Sequence, residues 1–352
     1  MVDEAGQPQA PMDKVDNALK ILVRNAVEEF GFIPRDVYDG VLKLHQTRDR
    51  HAVAVKNVNY TELQSFVRTF WMSPGPDFPE GVVVVFPRPS TYLGDFDDWA
   101  IDFKSIRIAR KVVESMRLQK EERLREMYED FYRITDRFAL AGWVFEAIVH
   151  RMFSDGLQLG PTPRTVPMVP NGCDPLVFSA DPSSSTPDTF LSSFGQPRTG
   201  TRTVARVDFT DRQLGGATLD NDKYYIPTVD TCPFFDSFTI DLDPRTVVIS
   251  VFRITISPRN ANEGSAEGYL QIHKITRRIR KLLKEADCNA TVKVVYILVC
   301  PDDGCQYQWQ MPVGWNKDTE TDDHRGDGSC TLVPLPEPSR YVFPAKLNHG
   351  WM

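Results

Sequence analysis

Several features that mark common classes of protein are missing from this sequence. No window of about 18 apolar residues occurs, so no membrane-spanning helix is expected. The N-terminal stretch MVDEAGQPQAPMDK is polar and acidic, and it lacks the hydrophobic region of a signal peptide. The six cysteines are scattered without a CxxC pair, which excludes zinc-finger spacing and indicates reduced thiols. We therefore expect an intracellular protein, with a nuclear location as one option.

The signatures of several enzyme classes are absent as well. There is no GxxxxGKS or GxxxxGKT loop for nucleotide phosphates, no GxSxG nucleophile turn and no HExxH zinc motif. The six histidines are dispersed, without the spacing of metal ligands. A net charge of −7 argues against a uniformly basic surface for nucleic acid, although it allows a local basic face.

The composition is that of a globular protein, and the length allows two domains of roughly 150 residues each. Residues 1–12 are expected to be disordered. Apolar residues recur at helical spacing over 13–135, which predicts a mostly helical region with one short strand over 81–89. We expect this region to pack as a helical satellite of an α/β domain over 136–315.

Residues 156–202 are rich in Pro, Ser, Thr and Gly, and we interpret them as a long connection without a core of its own. Further along, β-branched and aromatic residues predict strands over 201–209, 222–227, 233–242, 246–257, 291–301 and 306–315. An amphipathic helix is predicted over 265–286, and an irregular tail over 316–352. Because a helix joining two apolar strands is typical of a parallel crossover, we expect strands 246–257 and 291–301 in one sheet.

A carboxylate in the apolar stretch LAGWVFEAIVHRMF, residues 140–153, needs an explanation. On a helix, Gly142, Glu146 and His150 form one line at i, i+4 spacing, and we expect Gly142 to let this line approach a strand closely. The other positions are mostly apolar, which indicates a buried helix. A buried, ionised Glu costs several kcal/mol unless it is paired or binds a cation. Glu146 therefore either pairs with His150 or Arg151 at a surface edge, or belongs to a functional site.

Asp236, in FFDSFTID, is a second candidate carboxylate. A carboxylate at the end of a buried strand is a natural ligand of Mg²⁺, and the alternative is a turn or cap aspartate. The next strand, VFRITIS, alternates apolar residues with Arg253 and Thr255. A polar row on an otherwise buried strand indicates either a lined cleft or the solvated face of an edge strand.

The helix predicted over 265–286 has an apolar stripe opposite a basic face. We expect any contact with the phosphates of a nucleic-acid backbone to run through this face. A basic face that is merely solvated is the alternative. The residues concerned are Lys274, Arg277, Arg278 and Lys281.

These segments together give the chain a resemblance to a known family. The segments are GFIPRDVYDGV, WVFEAIVHRMFSDG, FFDSFTID and VVISVFRITIS, followed by the basic helix and VYILVCP. Over residues 20–315 the chain resembles the Crinkler and retrotransposon-hot-spot (RHS) type effector proteins of fungi and other eukaryotes. In that family, an ATPase region with a phosphate-binding loop precedes a nuclease domain of the restriction-endonuclease-like fold.

The resemblance implies roles for particular residues. GFIPRD is similar to a segment late in the ATPase region, where Arg35 would be a nucleotide-sensing arginine. The phosphate-binding loop is absent upstream, so we expect no ATP binding by the helical region. The endonuclease-like core runs helix, three strands, helix, strand, and it implies Glu146 and Asp236 as Mg²⁺ ligands. The family's Glu-x-Lys or Gln-x-Lys stands here as Arg253-Ile-Thr255, without the lysine.

Two functions are compatible with this resemblance. The first is a nucleic-acid-binding, effector-like protein on a metal-dependent nuclease scaffold, with Glu146, Asp236, Arg253 and Thr255 at the site and DNA favoured over RNA. There, Arg253 either clamps a scissile phosphate beside a metal ion, or neutralises the two acids and leaves an inactive enzyme, which we favour. The second is a non-catalytic protein-interaction module of the same fold, with a host protein as its partner.

Overall fold

A computed structural model describes most of the helical and strand-forming parts of the chain. The residues described are 11–69, 81–87, 99–116, 120–134, 138–155, 164–168, 204–209, 219–221, 223–227, 234–242, 245–256, 266–301, 310–315 and 324–333. The segment expected to be disordered, apart from residues 11 and 12, and most of the connection over 156–202 lie outside the described residues.

The N-terminal part is helical, in agreement with the spacing of its apolar residues. Its first four helices are α1 (Pro11–Phe30), α2 (Pro34–Leu42), α3 (Leu44–Lys56) and α4 (Tyr60–Thr69). Pro34 occupies the first turn of α2, where a missing N–H costs nothing. Gly31 follows α1 with a positive φ of 88°, and a Cβ there would lie 1.9 Å from the backbone oxygen of Lys104. Glycine is therefore required at this turn.

A two-stranded antiparallel sheet follows, made of β1 (Val83–Pro87) and β2 (Trp99–Phe103), and we call it the β1–β2 sheet. The sequence predicted β1 alone. Strand β2 escaped prediction because WAIDF is short and has only a brief alternation of apolar and polar residues. Three further helices complete this part of the chain: α5 (Ile106–Met116), α6 (Glu121–Ile134) and α7 (Phe138–Asp155).

A mixed seven-stranded sheet forms the centre of the C-terminal part. Its strands are β3 (Arg164–Pro167), β4 (Ala205–Phe209), β5 (Lys223–Pro227), β6 (Ser237–Leu242), β7 (Thr246–Ile254), β8 (Thr291–Pro301) and β9 (His324–Val333). The order across the sheet is β3-β9-β8-β7-β6-β5-β4. Strand β6 runs antiparallel to β5 and β7, whereas β8 runs parallel to both β7 and β9.

The predicted parallel pairing is confirmed. Strands β7 and β8 are parallel neighbours, and helix α8 (Ala266–Glu285) lies between them in the chain. In register, Thr246 faces Thr291 and Ile254 faces Val299. The chain is therefore an α/β protein in this part, as the alternation of apolar strands with an amphipathic helix indicates.

Two expectations about the later part of the chain are wrong. The tail predicted to be irregular contains β9, ten residues long, and β9 pairs with β3, which lies inside the segment interpreted as a connection. Strand β9 (HRGDGSCTLV) was missed because it carries few of the apolar residues that mark buried strands. The strand predicted over 306–315 does not form in residues 310–315, where one bridge residue is followed by a turn. Pro312 has no N–H to donate to a neighbouring strand, which explains why no strand continues through this position.

The two faces of the sheet enter two separate hydrophobic cores. Phe252 and Ile254 of β7 belong to the core that contains α7, which we call the α7-side core. Other residues of β7 lie in a second core, which we call the α8-side core because it contains α8. Helices α7 and α8 therefore cover opposite faces of the sheet. In the α8-side core, Val247, Ile249 and Val251 of β7 accompany Ile272, Ile275 and Ile279 of α8.

The helical N-terminal part shares a hydrophobic core with the C-terminal sheet. The α7-side core also holds buried residues of the β1–β2 sheet and of α4, α5 and α6, such as Leu63, Ile101, Val112 and Phe131. Helix α7 itself contacts α5, α6, β2 and β7. Among the helices of the described residues, none combines the length and apolar character needed to span a membrane.

Candidate functional site

Glu146 lies on α7 with 21% of its side chain exposed, so it is neither fully buried nor on the open surface. Its Oε1 lies 3.4 Å from Nε2 of His150, one turn further along the helix. This is one of the two pairings that the sequence left open. His150 is buried, and its Nδ1 lies 2.8 Å from the hydroxyl oxygen of Tyr224 on β5. Glu146 is thus the outer end of a polar chain that enters the core.

The inner end of this chain is a buried pair of hydroxyls. Ser237, the first residue of β6, donates a hydrogen bond of 2.6 Å to the hydroxyl oxygen of Tyr224. Both side chains are buried, and Tyr224 packs against Phe252 and Phe153. Burial raises the pKa of Tyr224 well above its ordinary value, so its hydroxyl stays protonated. Sequence reasoning did not single out Tyr224, although KYYIP places its two tyrosines on opposite faces of β5.

Asp236 lies immediately before β6, and both of its carboxylate oxygens are engaged. Arg253 on β7 donates from Nη1 to Oδ1 at 3.1 Å, and the backbone N–H of Ile254 donates to Oδ2 at 2.6 Å. The backbone N–H of Asp236 donates in turn to the carbonyl oxygen of Phe252 at 2.8 Å. Asp236 therefore closes the β6–β7 pair at its end, and Arg253 provides a compensating positive charge.

Glu146 and Asp236 act on each other electrostatically. Burial is the largest influence on the pKa of Asp236 and raises it. The positive charge of Arg253 lowers this pKa, and the negative charge of Glu146 raises it. The charges of both acids also raise the pKa of Tyr224. The fold therefore brings the two candidate carboxylates into one neighbourhood, although they are far apart in the sequence.

Mg²⁺ fits these residues poorly. The ion prefers oxygen ligands in octahedral geometry, and protein sites usually supply one or two carboxylates plus water or substrate oxygens. Here one of the two carboxylates already carries the guanidinium of Arg253. Within the described residues, no group of three or more His, Cys, Asp or Glu side chains could hold a metal ion. The expected Mg²⁺ site at Glu146 and Asp236 is therefore not supported by its ligand set.

Thr255 follows the end of β7, and its backbone N–H donates to the carbonyl oxygen of Val299 on β8 at 3.0 Å. Its side chain is neutral and cannot supply the positive charge that the family's lysine would bring. Arg253, with 24% of its side chain exposed, is the cation that contacts Asp236. Arg253 and the backbone N–H of Ile254 therefore supply the hydrogen bonds that stabilise the largely buried carboxylate of Asp236.

Gly142 does not have the role that the sequence suggested. A Cβ built on Gly142 would lie 3.8 Å from the side chain of Ile256, which is an ordinary contact. The helix line of Glu146 does pass near the end of β7, but its approach does not depend on a glycine. On α8, by contrast, a close approach does require glycine, because a Cβ on Gly268 would meet Phe234 at 2.0 Å.

The four basic residues of α8 lie across the sheet from Glu146. Lys274, Arg277 and Lys281 are exposed, while Arg278 is partly buried. The opposite side of α8 packs in the α8-side core, which faces away from α7. Glu146 and the α8 cations therefore lie on helices that cover opposite faces of the sheet, whereas Asp236 and Arg253 lie where β6 begins and β7 ends.

Arg35 is 67% exposed, and its Nε lies 3.8 Å from Oδ1 of its neighbour Asp36. Asp36 is the buried charge of the GFIPRD segment. It accepts hydrogen bonds from Lys104 at 2.8 Å and from Arg50 at 3.0 Å. Nearby, burial is the largest influence on His51 and lowers its pKa. This segment thus joins α2 and α3 to the residue that follows the β1–β2 sheet through a buried ion pair.

No protein-family model matches the chain, and no curated protein or solved structure matches it either. The geometry of the described residues is therefore the basis for any functional inference.

Proposed function

We propose that this chain is a nucleic-acid-binding protein on a restriction-endonuclease-like scaffold whose metal site is degenerate. The elements α7, β5, β6, β7, α8 and β8 support the scaffold, because that core runs helix, three strands, helix, strand, with β3 and β4 inserted between α7 and β5. The three candidate positions also follow this order. Glu146 is on the helix, Asp236 immediately precedes the second strand, and Arg253 is on the third.

The basic face of α8 is the observation that carries the binding function. Lys274, Arg277 and Lys281 are exposed, and they recur at i+3 and i+4 spacing on one side of the helix. The apolar side of α8 packs in the α8-side core, so the helix cannot rotate these cations away from solvent. A row of cations on a rigid helix suits the phosphates of a nucleic-acid backbone. The overall charge of −7 makes this basic face a local feature.

The ion pair of Arg253 with Asp236 supports the degenerate site. The guanidinium beside Asp236 supplies positive charge where a nuclease of this scaffold would use a metal ion. The separation of Glu146 from the α8 cations also supports binding without cleavage, because a backbone bound on the exposed side of α8 lies across the sheet from α7.

A fluorescence-anisotropy titration with a labelled DNA duplex over a range of salt concentrations tests the binding. The double variant Arg277→Gln/Lys281→Gln should make the negative slope of log K against log salt shallower by about two units, since each lost phosphate contact removes about one. Lys14→Gln/Lys20→Gln on α1 is the matched control, because it removes the same charge from exposed positions elsewhere. An unchanged slope in the α8 variant, or no binding by the unaltered protein, would favour the protein-interaction module instead.

A nuclease assay with Mg²⁺ or Mn²⁺ tests the degenerate site. The unaltered protein should leave both DNA and RNA substrates intact. Cleavage that disappears in Glu146→Ala would contradict this part of the proposal and would assign Glu146 to a working catalytic site.

A further inference from the structure

A second surface rich in positive charge lies in the helical N-terminal part, as the lining of a cavity of about 760 Å³. The cavity lies where α3 ends and α4 begins, next to the end of α5 and the start of α6. This space is open to solvent, and its volume lies in the range of sites for small organic molecules. Its lining residues are Val55, Lys56, Val58, Asn59, Tyr60, Thr61, Ser115, Lys120 and Arg123.

Three cations line this cavity, and its described lining contains no carboxylate. Within the part of the chain that the structure describes, neither Lys56 nor Lys120 forms an ion pair. Arg123 donates from Nη2 to the hydroxyl oxygen of Thr61 at 2.7 Å, a contact that orients its guanidinium without neutralising it. Two helices begin here and two end here, so their dipoles oppose one another. The side chains therefore give the cavity its positive charge.

The rest of the described lining is apolar or neutral. Val55 and Val58 contribute aliphatic surface, and Tyr60 contributes a ring whose hydroxyl is hydrogen-bonded to Ser115. Burial raises the pKa of Tyr60, so its hydroxyl brings no negative charge against a ligand.

Asn59 is occupied locally, since its Oδ1 accepts from the N–H of Thr61 and its Nδ2 donates to Glu62. It is therefore a poor partner for a ligand in the cavity.

A ligand needs an anionic group for the cations and an apolar or aromatic part for the valines and the tyrosine.

We propose that this cavity binds an organic phosphate of about the size of a nucleoside monophosphate. The phosphate would lie among Lys56, Lys120 and Arg123, and the organic part against the valines and the tyrosine. Such a site needs neither a phosphate-binding loop nor Mg²⁺, so it differs from the ATPase site expected of the family. The inference does not rest on the proposed nucleic-acid-binding function, because the lining comes from helices other than α8.

Calorimetric titration of the full chain with AMP, in magnesium-free buffer at constant ionic strength, tests the proposal. AMP should bind, adenosine should bind at least about tenfold more weakly, and inorganic phosphate should compete with AMP. The variant Lys56→Gln/Lys120→Gln should weaken AMP binding by on the order of tenfold or more, since a charge-assisted hydrogen bond has about this effect. Lys14→Gln/Lys20→Gln serves as the control and should bind AMP like the unaltered protein.

Two further arms complete the experiment. Arg123→Gln should also weaken AMP binding, and thermal unfolding of each variant shows that it remains folded. A 5′-phosphorylated trinucleotide that binds more tightly than AMP would identify the end of a strand as the source of the phosphate, and equal or weaker binding would identify a free metabolite. The proposal is overturned if AMP does not bind, or if the cavity variant and the α1 control bind it equally.

Discussion

Arg253 on β7 donates a hydrogen bond from Nη1 to Oδ1 of Asp236, 17 residues earlier in the chain, at 3.1 Å. The same carboxylate accepts the backbone N–H of Ile254, so one acid joins the side chain and the backbone of β7 to the start of β6. Glu146 adds a second negative charge nearby. Arg253 offsets one of these two negative charges, whereas a divalent ion would offset both.

The role of Arg253 can be tested by metal titration. Mg²⁺ should bind the unaltered protein weakly, and Arg253→Gln should raise its affinity by at least about tenfold, because the variant removes a competing positive charge from beside Asp236. Arg253→Lys keeps the charge and should remain weak, which makes it the matched control. Calorimetry provides the measurement. Tight Mg²⁺ binding by the unaltered protein, lost in Asp236→Ala, would contradict the degenerate site.

The sequence predicted the elements whose residues are strongly apolar and missed those that are not. The span of β8 was predicted over 291–301, and β7 and α8 within a few residues of their ends, because their apolar residues follow the strand and helix periods. Strand β9 is polar and contains glycine, and it also pairs with β3, a partner distant in the chain. Local periodicity cannot reveal such a partner.

The candidate site was predictable to a similar extent. Spacing on one helix offered the pairing of Glu146 with His150 as one of several alternatives, and the structure has this contact. The contact of Arg253 with Asp236 joins two segments of the sheet, and it could be expected only once the order of the strands was assumed. A tyrosine and a serine in apolar strands have no distinctive spacing, so Tyr224 was not predicted. Only the packing of α7 on the sheet makes Tyr224 a partner of His150.

Removing the hydroxyl of Tyr224 should destabilise the protein. In Tyr224→Phe, the ring remains, but buried Ser237 and His150 each lose a partner, and an unsatisfied buried polar group costs about 1–3 kcal/mol. Urea unfolding measures the change. Tyr225→Phe is the control, since its hydroxyl accepts the partly exposed N–H of Asp220, and it should cost less. Equal losses of stability in the two variants would argue against a special role for the hydrogen bonds that join Tyr224 to Ser237 and His150.

Asp102 on β2 should make stability depend on pH. Burial raises its pKa from 3.8 to about 6, although the N–H of Phe103 and the indole of Trp143 donate hydrogen bonds to it and lower the pKa in part. Because the folded protein then holds this proton more tightly than the unfolded chain, the contribution of Asp102 to stability is greatest at low pH. It declines as pH rises from about 4 to about 6, and it is constant above that range.

The variant Asp102→Asn removes this titration. Relative to the unaltered protein, it should gain about 1–3 kcal/mol of stability between pH 4 and pH 7, since a tenfold change in proton affinity corresponds to about 1.4 kcal/mol. Urea unfolding across this range measures the difference, and the comparison of the two proteins cancels the other titrating groups. Parallel stability curves for the two proteins would mean that Asp102 does not titrate in this range.

Two glycines on helices should respond in opposite ways to alanine. In Gly268→Ala, the new Cβ would lie 2.0 Å from Cβ of Phe234, so α8 must move off the sheet or Phe234 must leave a well-packed core. Overpacking of this kind costs about 1–3 kcal/mol or more. In Gly142→Ala, the Cβ would lie 3.8 Å from Ile256 and displace nothing, and alanine favours the helix by up to about 1 kcal/mol. Urea unfolding should therefore show a loss of stability for Gly268→Ala and no loss for Gly142→Ala. A loss at Gly142 as large as that at Gly268 would mean that α7 lies closer to β7 than these contacts indicate.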